Sequence, residues 1–272
     1  MGFRIWIFIF LFIFSSESFA AGEMNVIGGR AAGMGFSSVA LSDEWSAFNN
    51  PAGLAQIGKY SAGIYFENRF LVKELSLKTI VATIPVWKGT FGLTFLHDGF
   101  SLYSEMKGGV TYGMLFGKYF SAGVQLNCLR INQSEGYNDK TCFSFELGVQ
   151  YKASRHLTLG VHLVNPAMTR ISKDSPERLP ALIRLGFVWN ISDDLLTTLE
   201  TEKDLQHKPI FRTGAEYHVA KPFYIRCGIV TSPTTFTFGA GLEFGSFRVD
   251  LASGYHLVLG YSPQASITYR FK

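Results

Sequence analysis

From about residue 59 to the C-terminus, apolar and polar residues alternate one by one. Ala265, Ile267, Tyr269 and Phe271 interleave with Gln264, Ser266, Thr268 and Arg270. Phe236, Phe238, Ala240, Leu242 and Phe244 do the same with Thr237, Gly239, Gly241 and Glu243, and Phe143 to Tyr151 repeats the pattern with Ser144, Glu146, Gly148 and Gln150. Successive side chains of a strand point to opposite faces, so a period of two gives one greasy face and one polar or small face. Fourteen segments carry this signature: 59–68, 73–86, 88–98, 103–116, 118–131, 140–152, 155–165, 179–191, 194–203, 208–219, 221–231, 233–244, 246–254 and 260–271.

The connections alternate too. Short turns fall at Trp87-Lys88-Gly89, Gly117-Lys118, Ala153-Ser154-Arg155, Ser192-Asp193, Ala220-Lys221 and Gly245, while most longer polar links, such as Gln133–Asp139 and Asn165–Pro180, lie between them. Short periplasmic turns and longer outer loops are the outer-membrane arrangement, and an even strand count returns both ends of the barrel to one side. Trp87, Phe120, Tyr151, Trp189, Tyr217, Phe223, Phe244, Phe247 and Phe271 sit beside the short turns on the apolar parity. An aromatic girdle belongs at a lipid–water boundary. A soluble β-sandwich has no reason to gather aromatics at one end. The sequence therefore predicts an all-β fold: a 14-stranded antiparallel transmembrane β-barrel over residues 59–272.

Composition sharpens this. Of 272 residues, 47% are hydrophobic and 15% aromatic, while only 17% are charged, against about 25% in a typical soluble domain. No stretch after the N-terminus approaches the roughly 20 apolar residues of a membrane helix. A net charge of +4, thinly scattered, does not suit nucleic acid. The start of the chain supplies an address. A basic Arg4, an apolar run from Ile5 to Phe14, and small residues at Ser18 and Ala20 form a three-part signal peptide over residues 1–20, with cleavage expected after Ala20. Cys128, Cys142 and Cys227 make no disulfide framework. Alternation places Cys128 outward and Cys142 inward, which disfavours a bridge between them unless a bulge intervenes.

The inward parity holds glycine repeatedly, at Gly63, Gly92, Gly113, Gly123, Gly148, Gly160, Gly186, Gly214, Gly228, Gly239 and Gly241. Either these residues relieve crowding in a coiled sheet, or another part of the chain packs against them. Inward charges form a second set: Arg184, Glu200, Arg212, Glu216, Arg226, Glu243, Arg248, Asp250 and Arg270. Glu243 and Arg248 are expected to face each other across the Gly245 turn, Arg184 to face Glu200, and Glu216 to reach Arg226. Opposite charges paired in this way suit a cross-linked structural wall better than a selectivity filter, in which one sign prevails.

Residues 21–58 do not alternate. Gly28-Gly29-Arg30-Ala31-Ala32-Gly33-Met34-Gly35 leads to a short helical piece, with Ser42 as its candidate cap and Asp43 and Glu44 in its first turn, and then to Asn49-Asn50-Pro51-Ala52-Gly53-Leu54-Ala55. Pro51 ends that helix or begins the next. The glycine run follows no strand and lacks dinucleotide-loop spacing. This opening resembles that of the PorV/PorQ family, which shares its fold with FadL-type barrels. The resemblance implies a fourteen-stranded barrel with an N-terminal hatch in its lumen, and maps the hatch element onto Asn50, Pro51, Ala52 and Gly53. It departs from the family in its short length, its modest loops and its Phe271-Lys272 ending, so no FadL-type ligand-pocket residue carries over.

Catalysis has no foothold. The six histidines show no metal spacing, and no nucleophile-elbow serine accompanies His162 or His218 on the inward parity. The sequence is thus read as a non-enzyme without cofactor, resident in the outer membrane and in contact with its lipid. By the PorV/PorQ resemblance it would serve type IX-like protein secretion, with a translocon or cargo protein as partner. The alternative is a FadL-like conduit for hydrophobic compounds such as long-chain fatty acids.

Overall fold

The computed structural model describes residues 26–133, 139–172, 177–204 and 208–272; the signal-peptide segment lies outside them. Fourteen strands follow in chain order: β1 (Ser61–Asn68), β2 (Ser76–Val86), β3 (Gly89–Gly99), β4 (Tyr103–Phe116), β5 (Phe120–Gln133), β6 (Lys140–Lys152), β7 (Leu157–Val164), β8 (Leu182–Asn190), β9 (Leu195–Asp204), β10 (Ile210–Ala220), β11 (Phe223–Thr231), β12 (Thr234–Phe244), β13 (Phe247–His256) and β14 (Gly260–Arg270). Each pairs antiparallel with its neighbour in sequence, and β1 pairs with β14 from Ser61↔Arg270 to Glu67↔Gln264, closing the barrel. Closure leaves no edge strand with unpaired backbone, which a hydrocarbon environment would penalise.

The predicted segments match these strands to within a few residues, because alternation survives burial on one side only. In β6, Phe143 and Leu147 are exposed while Ser144, Glu146 and Gln150 are buried. Ile64, Ile80, Phe95, Leu126, Phe238 and Leu251 all stand on the outer surface. The aromatics beside the short turns are exposed as well, from Phe223 at 38% to Trp87 at 99%. Several meet across strands, as Phe244 meets Phe247 and Phe247 meets Tyr269. Two-residue turns fit the twist when the first residue has positive φ. Gly245 supplies it at no steric cost, whereas Trp87 adopts φ 55° without that freedom. Cys128 is exposed and Cys142 buried, and both are free thiols, with Leu129 rather than Cys128 opposite Cys142.

Most of the predicted loop Gln133–Asp139 lies outside the described residues. Two residues of the loop after β7 turn inward: Ile171 and Leu179 are buried against Leu129, Ile131 and Cys142 on the inner face of β5 and β6. Asn165 fixes its start by donating from Nδ2 to Leu179 O at 3.0 Å and Pro180 O at 3.3 Å.

Inside the barrel the N-terminal segment forms helix α1 (Gly29–Gly33), helix α2 (Ser46–Asn49) and a 3-10 turn over Pro51–Gln56. Ser42 is not a helix cap. Its hydroxyl donates instead to Gln150 Oε1 on the wall at 3.0 Å, and the helix begins four residues later. Asp43 Oδ1 accepts from Trp45 N at 3.0 Å, a local turn that delays the helix. Pro51 both follows the end of α2 and opens the 3-10 turn, where Asn50 Oδ1 accepts from Ala52 N at 3.1 Å.

Candidate functional site

The candidate site is the lumen and what fills it. Without a Cβ, a glycine on the inner face lets another backbone come within contact distance of the strand. A Cβ on Gly123 would collide with the Pro51 carbonyl and lie 2.7 Å from Ala52 N. One on Gly148 would strike Asn50 Oδ1, and one on Gly228 would strike the backbone at Met34 and Gly35. Of the two readings of the glycine belt, close approach by another part of the chain is the one the lumen shows. Gly241 is different, since its inner neighbours are Arg226 and Asp250 of the wall.

Asn50 is fully buried and acts as a three-way tie. Its Nδ2 donates to Val39 O at 2.6 Å, to Val161 O at 3.3 Å and to Val149 O at 3.4 Å, joining the segment to strands β7 and β6. Pro51, Ala52 and Gly53 are buried beside it in the 3-10 turn. Asn49 closes a second link, accepting from Ile27 N at 2.9 Å and donating to Ile27 O at 2.8 Å. Gln150 of the wall donates to Leu41 O at 2.8 Å. Buried amides satisfied in this way hold irregular backbone that has no sheet to pair with.

Charge holds the other end. Arg30 on α1 donates to Glu216 of β10 through Nη2 at 2.7 Å and Nε at 3.0 Å, a two-pronged contact. Glu216 also accepts from Arg226 Nε at 2.5 Å, and Arg226 Nη1 stands 2.8 Å from Asp250. Arg248 adds a contact to Asp250 at 3.1 Å. Arg270 joins Glu44 of the segment at 2.5 Å and Glu243 of the wall at 2.7 Å. Asp43, buried between these groups and 3.6 Å from Arg30, has its carboxyl pushed above the ordinary range by burial, with the Arg30 charge opposing that shift.

The predicted charges therefore come together, but in a different pairing. Arg184 binds Glu202 at 2.6 Å, not Glu200, because the β8–β9 register sets Arg184 opposite Glu202 and Gly186 opposite Glu200. Glu200 instead accepts the backbone N–H groups of Ser38 and Val39 at 2.7 and 2.8 Å, together with Arg212 Nη1 at 3.0 Å. Glu243 and Arg248 are opposite in register, yet their closest approach is 3.9 Å, and Arg270 is the nearer partner of Glu243.

The sequence reading missed Arg30, Glu44 and Glu202. It also missed a cluster in which Glu146 meets Lys107 at 2.8 Å, His162 at 2.9 Å and Asn127 at 2.7 Å. The inward parity of Lys107, Glu146 and Glu202 was an available signal. Nothing in the sequence signalled the partners of Arg30 and Glu44. Among the described residues no group of three or more His, Cys, Asp or Glu side chains could hold a metal ion.

A closed fourteen-strand antiparallel barrel with its greasy parity outward defines a class, the transmembrane β-barrel. No family profile matches the sequence, and no curated protein matches it. Solved structures do. The Ralstonia pickettii toluene transporter TbuX aligns over 90% of this chain and 98% of its own, at TM-score 0.69 and 11% identity. A Pseudomonas aeruginosa FadL homologue aligns over 93% and 100%, at TM-score 0.69 and 14% identity. The Pseudomonas putida toluene transporter TodX aligns over 92% and 99%, at TM-score 0.70 and 11% identity. At these identities the shared property is the fold. The PorV/PorQ resemblance finds no counterpart among these structures.

Proposed function

We propose that this chain is an outer-membrane barrel that carries a hydrophobic compound inward, with residues 26–57 as its hatch. The observation that carries the reading is a lumen occupied by a separate, non-strand segment inside a barrel that shares its fold with toluene transporters. Such a segment is held by side-chain ties and ion pairs rather than by sheet ladders, so it can shift while the wall stays paired. The fold likeness favours this FadL-like alternative over type IX-like secretion. Secretion keeps one observation on its side, the Asn50-Pro51-Ala52-Gly53 element and the glycine-rich run before it. The chain is taken as a non-enzyme whose substrate class is a monoaromatic hydrocarbon or a long-chain fatty acid.

The test is uptake of labelled toluene and oleate by cells that express the barrel in place of their own hydrophobic-compound channels. Barrel-dependent uptake of either is the expected result. Uptake equal to that of empty cells, with a translocon or secreted protein recovered by pull-down of the full chain, would overturn transport in favour of secretion.

A further inference from the structure

The outer face of the strands has an uneven charge pattern that neither transport nor secretion uses. Among the described residues, the ionisable side chains on the lipid-facing parity of the strands, apart from tyrosine and cysteine, are all basic: Lys78, His97, Arg130 and Lys203. No carboxylate shares that parity; Glu67, Asp98, Glu105, Glu146, Glu202 and Glu216 all point inward. All four basic residues lie close to the strand ends on the side of the barrel that carries the longest loops. Lys78 is the third residue of β2, counted from the loop, and His97 the third residue from the loop end of β3.

Lys78 and His97 are direct cross-strand partners, flanked in the same row by Phe66 and Met106. Arg130 is neutralised by Asp139 at 2.6 Å, whereas neither Lys78 nor His97 has an ion-pair partner among the described residues. Below them the wall is concave. A groove of about 570 Å³ runs along β14, β1, β2 and β3, with Ile64, Phe66, Ile80, Phe95, Ala265 and Ile267 as its apolar lining and Lys78 and His97 at its loop-side end. Ala265 sits opposite Phe66, and this small residue among large ones makes the depression. The volume falls within the roughly 300–1,000 Å³ of small-molecule sites.

We infer that this groove holds one phosphorylated lipid of the outer leaflet, a lipid A moiety, with an acyl chain along Ile64, Ile80 and Ile267 and a phosphate on Lys78 and His97. An unpaired ammonium beside hydrocarbon is costly unless an anion meets it. Lipid A provides phosphate and chain together, at the depth where these residues stand. The site lies on the outside of the wall, so it does not depend on what passes through the lumen.

The test uses the full-length barrel, purified and then incubated with lipid A, with dephosphorylated lipid A or with phosphatidylglycerol, and read by native mass spectrometry. The wild-type barrel retains one lipid A and discriminates against both alternatives. Lys78→Ala weakens retention about fivefold, and Lys78→Ala with His97→Ala weakens it more than twentyfold, the scale expected for interfacial basic residues. Ala265→Phe fills the groove while leaving both basic side chains in place and also lowers retention. Heat-modifiable gel mobility confirms that each variant is folded, and Lys203→Ala serves as the control that keeps binding. Retention unchanged in both the double variant and Ala265→Phe would overturn the site. Equal retention of phosphatidylglycerol would overturn lipid A as its occupant.

Discussion

The two ends of the lumenal segment are held by different physics. Helix α1, against β11 to β14, adds charge and hydroxyls to the packing of Met34 and Gly35 on Gly214 and Gly228: Arg30 to Glu216, Gly29 N to Ser266 Oγ at 3.2 Å, and Gly35 N to Thr237 Oγ1 at 2.7 Å. The 3-10 turn, against β3 to β6, is fixed by backbone pressed into glycine positions, with Asn50 as its main polar tie. Ion pairs in a dry interior are directional but must offset a large desolvation cost, so their net hold is sensitive to any one partner. Close packing is not directional and gives way only when volume changes. The difference makes the charged end the releasable one and the packed end the fulcrum.

The largest expected effect breaks the fulcrum. Gly148→Leu pushes a side chain into Asn50 and Pro51 and should cost about 3 kcal/mol or more. Either the barrel is destabilised, or residues 26–57 leave their seat and become cleavable by protease while the reconstituted barrel conducts ions. Gly108→Leu, where nothing lies within 4 Å of the added Cβ, should do neither. Equal behaviour of the two variants would dissolve the comparison.

A middle effect loosens the charged end. Arg30→Met removes two charge-assisted hydrogen bonds to Glu216 and should weaken seating by about 2 kcal/mol. Glu216 keeps Arg226, so the wall itself should hold. Protease should then reach α1 before the Pro51 turn. Simultaneous cleavage of both would mean that the segment moves as one body.

The smallest effect concerns Asp43. Burial raises its folded-state pKa above the ordinary value of 3.8, so the folded state binds the proton more tightly than the unfolded chain does. Stability from this group therefore falls as pH rises from the ordinary carboxylate value through the raised one, and the penalty is complete above it. Asp43→Asn should relieve that penalty at neutral pH by less than about 1 kcal/mol, because the attraction to Arg30 that it forfeits acts across a long 3.6 Å. The same change should flatten the pH dependence of thermal unfolding in the acid range. A variant less stable than wild type at neutral pH would show that the Arg30 attraction outweighs burial.

How far the sequence reached follows from what alternation encodes. Strand identity and facing were legible because a shift by one residue reverses every side chain, so one greasy face fixes both. Pairing along a face was not. Glu200 and Glu202 have the same parity, and the β8–β9 ladder is centred on Asp193, one residue beyond the centre at Ser192 that an Arg184–Glu200 pairing requires. That moves the partner of Arg184 by two positions and leaves its facing intact. Ser42 misled for a related reason, since a hydroxyl that caps a helix in a local reading is drawn to Gln150 once the wall surrounds it.

Taken alone, the amino-acid order determined the fourteen strands, their inner and outer faces, the aromatic rim and the belt of inward glycines, because each is a local property of period two. The folded barrel decided what meets across the lumen. Arg30 and Glu216 are 186 positions apart, and Glu44 and Arg270 are separated by 226. Contacts over such distances depend on closure of the whole ring, which brings β10 and β14 around the first residues of the chain, and no short-range pattern records that.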